Sequence, residues 1–193
     1  MRAFVGIEFS PEIKEEIHEI QKKLKPFAKS GRWKHEDNFH LTLKFLGEID
    51  EQQAIAINGL LAHIAPTHKA FTFGIEKLGT FGQSTLNPLT GCLAIRVLWM
   101  GTEGGEKALR ALQSDIEVKL EALGFPRDPR GYNPHVTLGQ NLKIKCEVEE
   151  MERAVVPITR KVEVKSIHLF KSESKDGNRI YRPVSGHKLQ QGG

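Results

Sequence analysis

The chain has 193 residues, a formal charge of +4 and a sequence pI of about 9.0, with 39% hydrophobic and 27% charged residues. That balance suits a globular protein and argues against a disordered one, and the small basic excess permits a polyanionic partner without demanding one. No run approaches the ~18 apolar residues of a membrane span. The opening MRAFVGIEFSPEIKEE lacks a secretory pattern, and the two cysteines, Cys92 and Cys146, stand far apart in no C-x-x-C. These features lead us to expect a cytoplasmic protein with no disulfide and no thiolate metal site.

Ala3–Phe9 reads as a strand. Ser10 followed by Pro11 is a helix start, a capping side chain and then proline in the first turn. Ile13, Ile17, Ile20 and Leu24 continue it at helical spacing until Pro26. A basic connection leads to the strand FHLTLKFL, Phe39–Leu46. Asp50 is a plausible cap for a second helix, with Ile57, Leu60, Leu61 and Ile64 as its apolar stripe. Phe71, Phe73 and Ile75 alternate as in a strand. Gly79–Thr90 is rich in turn residues and is expected to be the connection between two halves.

The pattern then begins again. LAIRVLW, Leu93–Trp99, is a strand. Leu109, Leu112, Ile116, Leu120 and Leu123 mark a helix that stops at Gly124. The turn-rich FPRDPRGYNP leads to the strand PHVTLG, Pro134–Gly139. A short helix over Glu147–Ala154, a strand over Val162–Phe170, a hairpin turn at Lys175–Asn178 and a strand over Arg179–Val184 complete the chain. Both halves read strand, helix, His-strand, helix, strand. The expected fold is therefore α+β: one bilobal domain over 1–193, with two pseudo-symmetric antiparallel lobes, helices outside and a cleft between them.

The organising motif is His-Leu-Thr-Leu at His40–Leu43, repeated as His-Val-Thr-Leu at His135–Leu138, about 95 residues later. Residues two apart on a strand share a face, so each His and its Thr point the same way while the apolar residues point into a core. A lone His-x-Thr is usually structural, but a matched pair at equivalent places in two halves is harder to dismiss. Two imidazoles and two hydroxyls would face each other across the cleft.

Two other patterns carry nothing. His35-Glu36 with His40 resembles a zinc-peptidase motif, but the second His comes one residue late, about 140° round a helix from the first. GTEGGEKA, Gly101–Ala108, lacks the Gly-Lys-Ser/Thr ending of a phosphate loop, and Glu103 and Glu106 would repel a phosphate.

Imidazole titrates near pH 6.5, so one neutral ring can accept a proton from an attacking oxygen while a charged one donates to a leaving oxygen. Threonine hydroxyls can donate to non-bridging phosphate oxygens. With no Ser or Cys nucleophile and no clustered carboxylates, phosphoester chemistry without a metal or other cofactor is the expected class.

The double motif, with RWKHEDNFHLTLKFLGEI, GYNPHVTLG, the RAFVGIEF strand and the RVLW strand, resembles the 2H phosphoesterase superfamily. Within it the closest likeness is to the RNA 2′,3′-cyclic phosphodiesterases, also called 2′-5′ RNA ligases. The resemblance spans essentially the whole chain. It implies a bilobal α+β monomer that opens a 2′,3′-cyclic phosphate on RNA ends or nucleotides to a 2′-phosphomonoester without a metal. It implies His40 as proton donor to the leaving 3′-oxygen, His135 as proton acceptor from water, and Thr42 and Thr137 as phosphate ligands. The second motif departs from the family's H-x-T-L-x-R pattern at Gln140, which brings no charge, and Lys44, Arg127 and Arg130 are candidates to supply it. Rival readings are 2′-5′ ligation by the same groups, a small cyclic nucleotide as substrate, and a non-catalytic RNA-binding module.

Overall fold

Ser10 and Asp50 act as sequence-encoded starts. Ser10 Oγ accepts from the Ile13 amide, with Pro11 in the first turn of α1 (Pro11–Leu24). Asp50 and Gln53 form a reciprocal capping box at the head of α2 (Glu51–Ile64). A computed structural model describes residues 1–175 and 178–191. The remaining elements are β1 (Arg2–Glu8), β2 (Ala28–Trp33), β3 (His40–Glu48), β4 (Phe71–Gln83), β5 (Leu93–Glu103), α3 (Glu106–Glu121), β6 (His135–Ile144), α4 (Val148–Ala154), β7 (Val162–Val164), β8 (Ser166–Lys175) and β9 (Asn178–Lys188). The turn expected at 175–178 is centred on Asp176 and Gly177, which lie outside the described residues. No described helix is long and apolar enough to cross a membrane.

Two antiparallel sheets result, in the orders β3-β1-β8-β9 and β2-β6-β5-β4-β7. The fold is α+β and bilobal, and the two halves of the sequence are interlaced rather than placed side by side. In each half the first strand and the His-strand pair with each other, β1 with β3 and β5 with β6. The last strand crosses to the other sheet, so β4 pairs with β5 and β8 with β1. α1 packs beside α4 and α2 beside α3.

Four expectations change in the light of this arrangement. The basic connection after Pro26 contains β2, which pairs with β6. It is an exposed edge strand of Ala-Lys-Ser-Gly-Arg-Trp, so it has no apolar face to announce it, and its charges guard the edge. Gly79–Gln83 are strand rather than loop, because a register shift at Lys77 (φ 44°) breaks the alternation begun by Phe71. Gly79 is there because a Cβ would lie 2.4 Å from the Trp99 ring. The loop that follows thus joins the halves as a turn within one sheet, between β4 and β5. The single strand expected over Val162–Phe170 is two, β7 and β8, which belong to different sheets. The last strand runs on to Lys188.

Each His-strand carries a bulge directly after its threonine. Thr42 and Lys44 pair with the consecutive residues Gly6 and Val5, and Thr137 and Gly139 with Trp99 and Leu98. Leu43 and Leu138 are the extra residues, and both are buried with Leu41 and Val136. A bulge reverses the parity of every later side chain. Hence Phe45 and Gln140, rather than Lys44 and Gly139, follow His and Thr on the cleft face. Phe45 is 69% exposed, whereas Lys44 is 6% exposed and turned inward.

Both bulged carbonyls are held by a buried glutamine from the other half. Gln21 Nε2 of α1 donates to the Leu138 carbonyl at 3.0 Å and to the Lys34 carbonyl at 2.8 Å. Gln113 Nε2 of α3 lies 3.5 Å from the Leu43 carbonyl and 3.2 Å from Glu117 Oε1. Glu117 in turn binds Lys44 Nζ at 2.6 Å, and Lys44 also donates to the Pro126 carbonyl at 2.5 Å.

Two stability predictions follow from these contacts. Gln21→Leu takes the side-chain donor from the Lys34 carbonyl and leaves the Leu138 carbonyl with the Lys34 amide alone, and should lower the unfolding free energy by about 1–3 kcal/mol in urea titrations. Lys44→Met strands the Glu117 carboxylate and should cost about 3–5 kcal/mol, most of it recovered in Lys44→Met/Glu117→Leu.

Candidate active site

The two His-strands present their motifs to one cleft of about 1140 Å³, lined by His40, Thr42, His135 and Thr137 and flanked by Gln140 and Tyr181. His40 Nδ1 lies 2.7 Å from the Asn38 carbonyl oxygen. A carbonyl only accepts, so Nδ1 carries the proton and the neutral ring keeps its lone pair on Nε2. That nitrogen is 3.0 Å from Thr42 Oγ1. His135 repeats the device, with Nδ1 2.8 Å from the Asn133 carbonyl. Both rings therefore have a fixed tautomer, with Nε2 as the nitrogen left for chemistry.

Aromatic side chains hold the rings from behind. His40 packs on Phe4 at 4.6 Å between ring centroids and meets Tyr181 at 5.1 Å, nearly edge-on. His135 meets Phe81 at 5.0 Å, perpendicular, and Trp99 at 6.0 Å. Burial disfavours the charged imidazole. Burial pushes His40 down to about 4, against the opposing pull of the Asn38 carbonyl and with Lys34, His135 and Lys14 adding positive charge nearby. Burial lowers His135 as well, again opposed by its backbone carbonyl. Both rings are neutral at pH 7 in the free protein.

Further contacts tie the halves together around this pair. Tyr132, just ahead of the second motif, donates its hydroxyl to the Thr42 carbonyl at 3.1 Å. Burial raises the Tyr132 phenol, so it remains a donor at any working pH. Asn38 donates to the Arg179 carbonyl at 2.6 Å and accepts from the Tyr181 amide at 3.0 Å, which sets the Tyr181 ring against His40. Lys34 Nζ donates to the Tyr181 hydroxyl at 2.7 Å.

His40, Thr42, His135, Thr137 and Gln140 all come together on the cleft. Lys44 does not join them, because the bulge at Leu43 commits its amine to Glu117. Strict alternation from His40 would have aimed it at the cleft. Arg127 and Arg130 stand on the approach to the second motif, paired at the surface with Glu121 and Asp128. Among the described residues no group of three His, Cys, Asp or Glu side chains is placed to hold a metal ion.

Sequence reasoning missed Gln21, Gln113, Tyr132 and Tyr181, whose partners are far away in the chain. It also missed a legible signal: the repeat is longer than His-x-Thr. Asn38-Phe-His-Leu-Thr and Asn133-Pro-His-Val-Thr both read Asn-x-His-x-Thr, and the Asn carbonyl fixes the tautomer in each.

Chemically, the two motifs bring two oriented imidazole nitrogens and two threonine hydroxyls to the cleft. That suits moving protons to and from oxygen atoms on either side of a bound anion.

Comparisons with known proteins show the family and the fold. The family model of LigT-like phosphoesterases matches residues 7–90 and 101–181, one segment for each half. An RNA 2′,3′-cyclic phosphodiesterase of Methanocaldococcus jannaschii is 31% identical over 190 residues, covering 95% of this chain and 98% of that protein. Another, from Archaeoglobus fulgidus, is 33% identical over 154 residues, 79% of this chain and 80% of that protein. The crystal structure of E. coli LigT complexed with 3′-AMP superposes with a TM-score of 0.77 at 26% identity, over 98% of both chains. The chain thus belongs to the LigT-like phosphoesterase family of the 2H superfamily.

Proposed function

We propose that this protein hydrolyses the 2′,3′-cyclic phosphate at RNA or nucleotide ends to a 2′-phosphomonoester, by a two-histidine mechanism that needs no metal. The observation that carries the reading is the pair of imidazoles on a common cleft, each locked by a backbone carbonyl at Nδ1 so that Nε2 is left for chemistry, with the Thr42 hydroxyl at His40 Nε2 and Thr137 lining the same cleft. The names of the relatives in M. jannaschii and A. fulgidus support the substrate class.

In this reading the cyclic phosphate lies between the rings. His135 Nε2 accepts a proton from water as the water oxygen bonds to phosphorus. The bond from phosphorus to the 3′-oxygen breaks, and protonated His40 gives its proton to that oxygen. The Thr42 and Thr137 hydroxyls donate to the non-bridging oxygens. His40 is neutral in the free protein, so the bound anion must stabilise its charged form. The substrate phosphate thereby helps to arm its own acid, which is a Coulombic consequence of placing an anion beside a buried imidazole.

In excess EDTA, a nucleoside 2′,3′-cyclic phosphate should be turned over by the parent and yield the 2′-phosphomonoester. His40→Ala and His135→Ala should each lose about 10²–10⁴-fold in kcat. Abolition by chelator, or activity kept in both variants, would overturn the reading. The pH profile is a separate check. Both rings titrate below their ordinary ~6.5, so kcat/KM, which reports the free enzyme, should fall about tenfold per pH unit above that value. A profile flat to pH 9 would contradict the requirement for a protonated imidazole.

A further inference from the structure

Gln140 leaves the cleft face of the second motif without charge, and the structure shows what stands opposite it. Arg32 of β2 is its direct cross-strand partner in the register of β2 and β6. Side chains of such pairs lie on one face with Cβ atoms about 5 Å apart. Arg32 and Gln140 line the same cleft as Thr42, His135 and Thr137. Arg32 is exposed, and among the described residues its side chain makes no ion pair or hydrogen bond. Lys44, Arg127 and Arg130 are all paired with carboxylates.

The backbone is distorted on both strands around this pair. The register slips between Ser30 and Arg32, where two steps on β2 face three on β6. Gly31 has φ +135°, and a Cβ there would lie 2.4 Å from Leu142 Cδ2. Asn141, next to Gln140, has φ +52°. Non-glycine residues rarely adopt a positive φ, and paired irregularities of this kind re-aim side chains. The bulge at Leu138 turns Gln140 onto the motif face, and the slip in β2 sets Arg32 directly opposite it.

We propose that Arg32 is the substrate-binding cation of this site, gripping the non-bridging oxygens of the phosphate from the neighbouring strand while the Gln140 amide adds a neutral donor. The guanidinium fork matches a phosphate through two parallel N–H···O bonds, which neither a lysine nor an amide can reproduce. This assignment rests on the catalytic reading above for the identity of the reacting anion, and on the cleft geometry for the anion site itself.

The test pairs turnover with binding on the full chain. Hydrolysis of a nucleoside 2′,3′-cyclic phosphate is followed for the parent, Arg32→Gln, Arg32→Lys and Arg32→Gln/Gln140→Arg. Binding of inorganic phosphate is followed in parallel by the NMR signal of His135. Arg32→Gln should lower kcat/KM and weaken phosphate binding by about 10- to 100-fold, as loss of a charge-assisted hydrogen bond does, with an unchanged melting temperature. Arg32→Lys should recover only part, and the double variant, with the charge moved across to β6, most of it. Parent-like kinetics and binding in Arg32→Gln, or a double variant no better than Arg32→Gln, would overturn the proposal while leaving the histidine mechanism in place. A parent that binds phosphate in an Arg32-dependent way yet turns over no cyclic phosphate would uphold the anion site and overturn the catalytic reading.

Discussion

The bulges at Leu43 and Leu138 set the parity of the two motif strands, and the composition of the cleft follows from that parity. Without the extra residue, Lys44 and Gly139 would follow His and Thr on the cleft face. With it, Lys44 turns towards Glu117, and Phe45 and Gln140 take those places. A bulge leaves a carbonyl outside the ladder, and a buried carbonyl needs a donor. Gln113 reaches the Leu43 carbonyl, and Gln21 with the Lys34 amide reaches that of Leu138, in each case from the opposite half of the chain. The same contacts that satisfy the bulges therefore also tie one half of the chain to the other.

The crossing strands have a similar effect on a larger scale. Because β4 belongs to the sheet of the second motif and β8 to the sheet of the first, neither sheet is built from one half alone. The two halves of the chain cannot separate without stripping β4 from β5 and β8 from β1, and with them a run of backbone hydrogen bonds. The two imidazoles stand on strands of different sheets, β3 and β6, which meet across the cleft, and a pair of side chains on rigid strands is held rather than assembled on binding.

The pseudo-two-fold makes the motifs alike, and the residues just beyond them make the cleft directional. Phe45 and Gln140 occupy equivalent places, one a 69% exposed aromatic ring and the other an amide beside Arg32. The backing of the rings differs too. His40 sits under Phe4 and Tyr181 with Lys34 close by, and its imidazole is held down to about 4, while His135 is backed by Phe81 and Trp99 and is lowered by burial. Near-identical motifs in unlike surroundings are what a reaction needs when one group must give a proton and the other take one.

The sequence by itself determined the repeat, the caps at Ser10 and Asp50, the two His-strands and the partnership of His40, Thr42, His135 and Thr137. Each is a local pattern of spacing, propensity or motif, and local patterns survive in one dimension. Tertiary structure alone decided that β4 and β8 change sheets, since alternation is the same whichever sheet a strand joins. It decided that β2 is a strand, because an exposed edge needs no apolar face, and that Gly79 serves the Trp99 ring rather than a turn. It also decided that Arg32 stands beside Gln140 on the cleft. The charge expected from Lys44 depended on strict alternation, which one extra residue reversed. Arg32 lies 108 positions from Gln140 in the chain and becomes its neighbour only through strand pairing.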